Sequence, residues 1–394
     1  MNIKLMDIKR QHDSHALEYE NAAISVLRSG NYIGGEEVAR FEKEFAEYEG
    51  AKYGIACGNG TDAIVLALKS LGIGPGDEVI TVAFTFFATS ESIANVGATP
   101  VFVDVCRDTY CIDVSLIENK ITKNTKAILP VNFYGQACEM DKLKSICKKH
   151  SLYLIMDCAQ SAGTEYKGFK ASTLGDVSCF SFFPTKNLGG CGDGGMILTN
   201  YESIATACRT LRAHGSGEDG LNHFLSVCEE KRITIPDESL LGKTKYYNYF
   251  VGYNSRLDTI QAAILRIKLK YLNDFIYKRR KNADFYNSAL KNTSYTTPFV
   301  PQYSNHSYYI YALKHPNAKR IVELLNKNGI QSGVYYPVPL HLQLAFSKLG
   351  YKKGDLPITE ELCQTTFAIP VFPELSEEEK EYIVKVLIEI ENAK

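Results

Sequence analysis

Lys186 sits in Ser-Phe-Phe-Pro-Thr-Lys-Asn-Leu-Gly-Gly-Cys-Gly-Asp-Gly-Gly, residues 181 to 195. Upstream, the apolar run Leu152 to Met156 ends in Asp157-Cys158-Ala159-Gln160. An amine in a glycine-rich loop can condense with an aldehyde. A carboxylate at the end of a buried strand can keep a heteroaromatic nitrogen protonated, which makes the ring an electron sink. A side-chain amide beside it can bind a ring hydroxyl and orient the ring. Together, Lys186, Asp157 and Gln160 suit pyridoxal phosphate.

Asp157 falls where open α/β sheets place their ligands, at the carboxyl end of a parallel strand. Taken alone it reads more readily as a helix N-cap or loop aspartate. Gln160 and Lys186 in register turn the balance toward a cofactor site. Lys186 lies 29 residues after Asp157, room for a loop, one more strand and a turn. The strand Val177 to Phe182 returns it to the same sheet edge. Phe182, Phe183 and Pro184 desolvate it in part, favouring the neutral amine that condensation needs. Once displaced by substrate, the amine can shuttle a proton.

The cofactor phosphate needs backbone donors. Gly58-Asn59-Gly60-Thr61-Asp62 leads directly into a helix, where free amides make an anion site. Ser181 adds a hydroxyl. In Ala83-Phe84-Thr85-Phe86-Phe87-Ala88-Thr89, any of the three phenylalanines can stack on the ring.

The elements that must position these groups alternate. Tyr53 to Cys57, Glu78 to Val82, Pro100 to Val103, Ala127 to Val131 and Leu152 to Met156 read as strands. Asp62 to Leu71, Phe87 to Val96, Val114 to Lys120 and Met140 to His150 read as helices. Alternation implies right-handed crossovers and a mainly parallel sheet covered on both faces. Residues 216 to 246, with glycines, charge pairs and Pro236, read as an inserted surface loop. A helix begins near Ser255 and continues past Ala283 as a bridge. Strands follow at Ser307 to Leu313 and Gly333 to Tyr336, and an amphipathic helix over Ser376 to Asn392 closes the chain. The expected division is a large domain, 1–265, and a small C-terminal domain with the bridging helix, 266–394.

With 394 residues, 45% hydrophobic and 23% charged, the chain has the composition of a globular protein. A net charge of −1 gives no electrostatic reason to expect nucleic acid or an anionic membrane as partner. No apolar stretch approaches bilayer-spanning length, and Met1-Asn2-Ile3-Lys4 lacks a secretory core. The 11 cysteines are scattered and form no Cys-x-x-Cys pair, which reads as reduced thiols in a cytoplasmic protein. The eight histidines offer no His-x-x-x-His spacing, so no metal site is expected.

From about Tyr32 to Pro373 the sequence resembles the sugar aminotransferases of the DegT/DnrJ/EryC1/StrS type. The resemblance implies the fold-type I aminotransferase architecture: an α/β large domain with a mainly parallel seven-stranded sheet, plus a smaller α+β C-terminal domain. It places the Schiff-base lysine at Lys186, the ring-nitrogen aspartate at Asp157 and the ring-orienting glutamine at Gln160. Ser181, Gly60 and Thr61 take the phosphate, and Phe86 is the stacking aromatic. The Gly-x-Asn-x-Arg signature appears as Gly252-Tyr253-Asn254-Ser255-Arg256. Its asparagine, Asn254, is implied to cross a homodimer interface to the other subunit's phosphate. Two features depart from many relatives: the length of 216–246, and Asp193 in place of glutamate.

The implied reaction is transamination of a nucleotide-linked keto-sugar with L-glutamate as amino donor, for surface-glycan or secondary-metabolite sugars. Phe183-Pro184-Thr185 before the lysine and Asn187 to Gly195 after it resemble the subgroup acting on 3-keto sugar nucleotides, including dTDP-linked 3-keto-6-deoxyhexoses and UDP-linked 3-keto uronic acids. The alternatives are a 4-keto sugar nucleotide, another keto-sugar or cyclitol, and, from another class, a pyridoxal phosphate-binding regulatory protein without turnover. A related dehydratase would carry histidine in place of Lys186. A nicotinamide-dependent enzyme lacks its Gly-x-Gly-x-x-Gly after the first strand.

Overall fold

The computed structural model describes residues 1–234, 241, 242, 244 and 246–393. Its centre is a seven-stranded sheet of β1 (Tyr53–Cys57), β2 (Glu78–Val82), β3 (Thr99–Val103), β4 (Thr125–Ile128), β5 (Tyr153–Asp157), β6 (Val177–Ser181) and β7 (Gly195–Thr199). The spatial order is β1-β7-β6-β5-β4-β2-β3. Only β7 runs antiparallel to its neighbours. Each remaining neighbouring pair is parallel.

Continuous apolar strands form because both faces are covered. Ile55, Val79, Ala127, Ile155, Val177 and Ile197 pack into one core with the helix Gly60–Ser70. Their chain neighbours Ala56, Ile80, Ile128, Met156 and Met196 enter the opposite core. There they meet Phe41 and Phe45 of the helix Glu36–Glu49, and Leu143 of the helix Met140–His150. Such alternation is what a doubly covered parallel sheet requires.

The helix Thr259–Ala289 has 31 residues, about 46 Å at 1.5 Å per residue. Its first half packs on the helices Ala16–Ser29 and Glu36–Glu49. Its second half supplies Ala283 and Tyr286 to a third core. That core joins the two-stranded sheet Tyr311–Lys314 and Thr366–Ile369 to the closing helix Glu377–Asn392. Ser376 caps this helix in a capping box with Glu379, satisfying two otherwise orphaned amides.

Several expectations change. Residues 216–246 are not one surface loop: Gly217–Lys231 is a 15-residue helix lying on the helix Glu202–Arg212. Gly220 fits against the turn that enters this helix, since a Cβ there would come within 2.8 Å of the Gly215 carbonyl oxygen. The remaining stretch, 232–246, lies partly outside the described residues. Val114 to Lys120 is two short 3₁₀ turns. Gly333 makes one bridge to Ala368 rather than opening a strand, and the strand expected from Ser307 starts at Tyr311. β7, unmarked in the sequence reading, lies between β1 and β6. Among the described residues no helix is long and apolar enough to cross a membrane.

Candidate active site

The carboxyl ends of β5 and β6 and the start of the helix Gly60–Ser70 converge on one cavity of about 770 Å³, within the range of small-ligand sites. Gly60, Thr61, Phe86, Asp157, Gln160, Ser181 and Lys186 all line it. Asn254 does not; it is exposed, on a segment that bridges to Ala213.

Asp157 is 4% exposed. Its Oδ2 accepts a 2.8 Å hydrogen bond from Thr89 Oγ1, and its Oδ1 accepts one of 3.0 Å from the Ala159 amide. Thr85 Oγ1 lies 3.1 Å from Thr89 Oγ1, completing a relay of hydroxyls behind the carboxylate. Burial pushes the Asp157 carboxyl above its ordinary range, opposed by the Ala159 amide, the Thr89 hydroxyl and the Lys186 charge. A carboxylate so desolvated gains most from a cationic N–H in the cavity, which a protonated pyridine nitrogen supplies. Thr89 was not singled out from sequence; it lies in the first turn of the helix Ala88–Asn95, and Thr85 in the turn that leads into it.

Gln160 is fixed by its neighbour. Its Oε1 accepts from the Tyr134 amide at 2.9 Å, so its Nε2 remains the donor end for the cavity. Tyr134 reaches this position with a left-handed φ of 58°, and its hydroxyl donates to the Tyr335 carbonyl. Gln160 is thereby linked to the wall formed by Tyr335 and Tyr336.

The Lys186 loop is a compact fold. The Lys186 amide donates to Phe183 O and the Gly190 amide to Phe182 O, each at 2.8 Å. A Cβ at Gly189 would lie 2.2 Å from Pro184 O, so this turn admits no other residue unchanged. Phe182 is buried and Phe183 half exposed, so the aromatic surround expected for Lys186 is one-sided. Its other neighbour is Tyr309, whose ring centroid is 4.3 Å from Lys186 Nζ. Burial alone would raise the Tyr309 hydroxyl, yet Lys186 and Thr185 outweigh it and hold it below its ordinary value. Arg279 holds that wall from behind, donating to Tyr308 O at 3.2 Å and Tyr309 O at 3.3 Å. Burial lowers this guanidinium to about 10.

At the start of the helix Gly60–Ser70, Asn59 caps the helix through its side chain, accepting from the Asp62 amide at 2.8 Å. The Ala63 amide bonds to Asn59 O. The earlier amides, of Gly60 and Thr61, precede any intrahelical acceptor and border the cavity. Gly60 is required by close approach: a Cβ there would be 2.7 Å from Ser181 Cβ. Ser255 braces the loop, accepting from the Gly58 amide at 3.0 Å and donating to Asp62 Oδ2 at 2.6 Å.

Among the three phenylalanines, the geometry separates one. Phe84 is 1% exposed and packs edge-on against Phe133. Phe87 packs on Phe346. Phe86 is 54% exposed and lines the cavity, 5.5 Å from the Tyr336 ring.

These donors fit pyridoxal phosphate: an amine, a buried carboxylate, an oriented amide, free helix-start amides with a hydroxyl, and an open aromatic face. Among the described residues no group of three metal-ligating side chains comes together. All eleven cysteines are free thiols, nine of them buried.

Comparison with known proteins agrees with the geometry. The model of the DegT/DnrJ/EryC1/StrS aminotransferase family matches residues 14–388. A pleiotropic regulatory protein of Geobacillus stearothermophilus is 42% identical over 99% of this chain and 98% of its own length. The UDP-2-acetamido-2-deoxy-3-oxo-D-glucuronate aminotransferase of Pseudomonas aeruginosa is 38% identical over 95% and 96% of the two chains. Among solved structures, S. venezuelae DesV in complex with a ketimine intermediate superposes with a TM-score of 0.91 at 32% identity, covering 100% of this chain and 99% of that one. The chain therefore belongs to the DegT/DnrJ/EryC1/StrS aminotransferase family and is a pyridoxal phosphate-dependent sugar aminotransferase.

Proposed function

We propose that the protein transfers the amino group of L-glutamate to C3 of a nucleotide-linked 3-keto sugar, releasing 2-oxoglutarate and a nucleotide-linked 3-amino sugar. The observation that carries the transamination is the convergence of Lys186, Asp157, Gln160, Ser181, Gly60, Thr61 and Phe86 on one cavity. The 3-keto preference is supported by the sequence around Lys186 and by the name of the Pseudomonas aeruginosa relative.

When bound, pyridoxal phosphate carries the amino group between substrates and delocalises the charge left when a substrate C–H bond breaks. Lys186 holds the cofactor covalently and, once released, moves a proton at its Nζ. Asp157, held in place by Thr89 and the Ala159 amide, would keep the ring nitrogen protonated. Gln160 binds the ring hydroxyl through Nε2. The Gly60 and Thr61 amides and the Ser181 hydroxyl hold the phosphate, and Phe86 covers the ring. Asn254, exposed and outside its own chain's cavity, is assigned to the phosphate of a second subunit in a homodimer. With nine buried thiols, the protein is assigned to the cytoplasm.

One observation favours a second reading, a cofactor-binding regulatory protein without turnover: the name of the Geobacillus stearothermophilus relative. The proton-moving Lys186 beside Asp157 weighs against it, because binding alone needs no such group. Glutamate added to the cofactor-loaded protein separates the two. Loss of the cofactor's visible absorbance with release of one equivalent of 2-oxoglutarate supports the enzyme, and an unchanged spectrum supports the regulator.

A further inference from the structure

We propose that Lys268 is a positioning residue that ties together two walls of the active-site cavity, the Lys186 loop and the N-terminal segment, by donating to both from one buried amine. The proposal rests on the reading of Lys186 as the cofactor-binding lysine.

Lys268 lies in the helix Thr259–Ala289 and is 2% exposed. Its Nζ donates to Gly189 O at 2.8 Å and to Gln11 Oε1 at 3.2 Å, with the Tyr19 ring centroid 5.4 Å away. Gly189 is in the tight turn after Lys186, where a Cβ would strike Pro184 O. Gln11 is in the helix Ile8–Asp13, directly after Leu5 and Met6, which line the cavity. Among the described residues Lys268 is the side chain that reaches the Gly189 carbonyl.

A buried amine is costly unless its donors are used. Burial lowers the Lys268 amine from its ordinary value, against the pull of Cys191 and Glu374. If position 268 served only to fill the core, an apolar side chain of the same length would do so without that cost. Gln11 also points to a directed contact. It turns its oxygen to Lys268 and leaves Nε2 buried without a partner; the reverse orientation would set donor against donor. The amine therefore couples the placement of Lys186 to that of Leu5 and Met6, so that the loop and the opposite wall move as one unit.

Hydrogen–deuterium exchange on the cofactor-loaded protein tests this, comparing wild type with Lys268→Met and Gln11→Leu. In Lys268→Met, exchange at the Lys186 and Gly190 amides and in the helix Ile8–Asp13 is expected to rise on the order of tenfold, while β5 and the closing helix keep their protection. In Gln11→Leu only the N-terminal helix is expected to loosen. Unchanged exchange in both segments of Lys268→Met, or a uniform rise over the whole chain, overturns the proposal. If Lys268→Met does not fold, Gln11→Leu decides: loosening confined to the N-terminal helix supports the tie, and any other pattern overturns it. Exchange requires no turnover, so an error in the proposed substrate leaves this result unaffected.

Discussion

Thr89 and Asp157, 68 residues apart in the chain, meet through a 2.8 Å hydrogen bond on the inner side of the cavity. With the Ala159 amide on Oδ1, the bond gives each carboxylate oxygen one donor, and it is possible because the turn after β2 carries Thr89 back toward the end of β5. A desolvated carboxylate held this way is poised for a cationic partner and costs stability without one.

That cost has a sign. Burial raises the Asp157 carboxyl, so its contribution to stability is present below the ordinary carboxylate range and is lost as pH rises through the raised value. Asp157→Asn does not titrate, and its single side-chain oxygen can accept from Thr89 or from the Ala159 amide but not both, a loss that is the same at every pH. Cofactor-free Asp157→Asn should therefore rise in melting temperature relative to wild type as pH goes from acid to neutral, on top of that constant loss. Its turnover should fall by roughly 10²-fold or more, because the ring nitrogen loses its anionic partner. Thermal melts across pH and steady-state assays check both halves. Near-normal turnover contradicts the role assigned to Asp157.

Lys186→Ala should abolish transamination while leaving the phosphate and ring contacts able to retain cofactor. Borohydride reduction of the wild-type protein followed by peptide mapping should find the label on Lys186. A label on another lysine excludes the assignment.

Phe84 and Phe86 should separate cleanly. Phe84 is a core residue, so Phe84→Ala should lose about 3–5 kcal/mol of stability. Phe86→Ala should leave stability nearly unchanged and weaken cofactor affinity, by roughly tenfold for the loss of one stacking face. Denaturant melts and cofactor titration distinguish the two outcomes, and a Phe86→Ala protein with wild-type cofactor affinity contradicts stacking.

Gly60→Ala should leave the sheet intact but push Ser181 away, since the added Cβ sits 2.7 Å from Ser181 Cβ. Overpacking of this kind costs about 1–3 kcal/mol. The expected result is weaker binding of cofactor, and of inorganic phosphate as its competitor, with little change in circular dichroism. Unaltered affinity for both contradicts the phosphate site.

The strands that carry the site were legible because each is a short continuous apolar run, and Asp157 and Lys186 interrupt apolar or glycine-rich surroundings that make them conspicuous. Residue chemistry alone did not separate Phe86 from Phe84 and Phe87; the family resemblance pointed to Phe86, and burial shows that it is the one exposed to the cavity. The helix Gly217–Lys231 was hidden because its first turns hold Gly217 and Gly220 among charges, and it is stabilised by packing on a neighbouring helix rather than by its own periodicity. Tyr309 and Thr89 were missed for another reason. Their importance lies in contacts with Lys186 and Asp157 across the fold, and no local pattern marks a residue for a long-range contact.

The central claim, amino transfer to a 3-keto sugar nucleotide, is tested most directly by comparing keto isomers. Enzyme first converted to its amino-bearing form with glutamate should be returned to the starting absorbance by a 3-keto sugar nucleotide. It should show a much higher specificity constant for that isomer than for the matching 4-keto-6-deoxy sugar nucleotide. A clear preference for the 4-keto isomer, or no amine transfer to any keto-sugar nucleotide, would contradict the account.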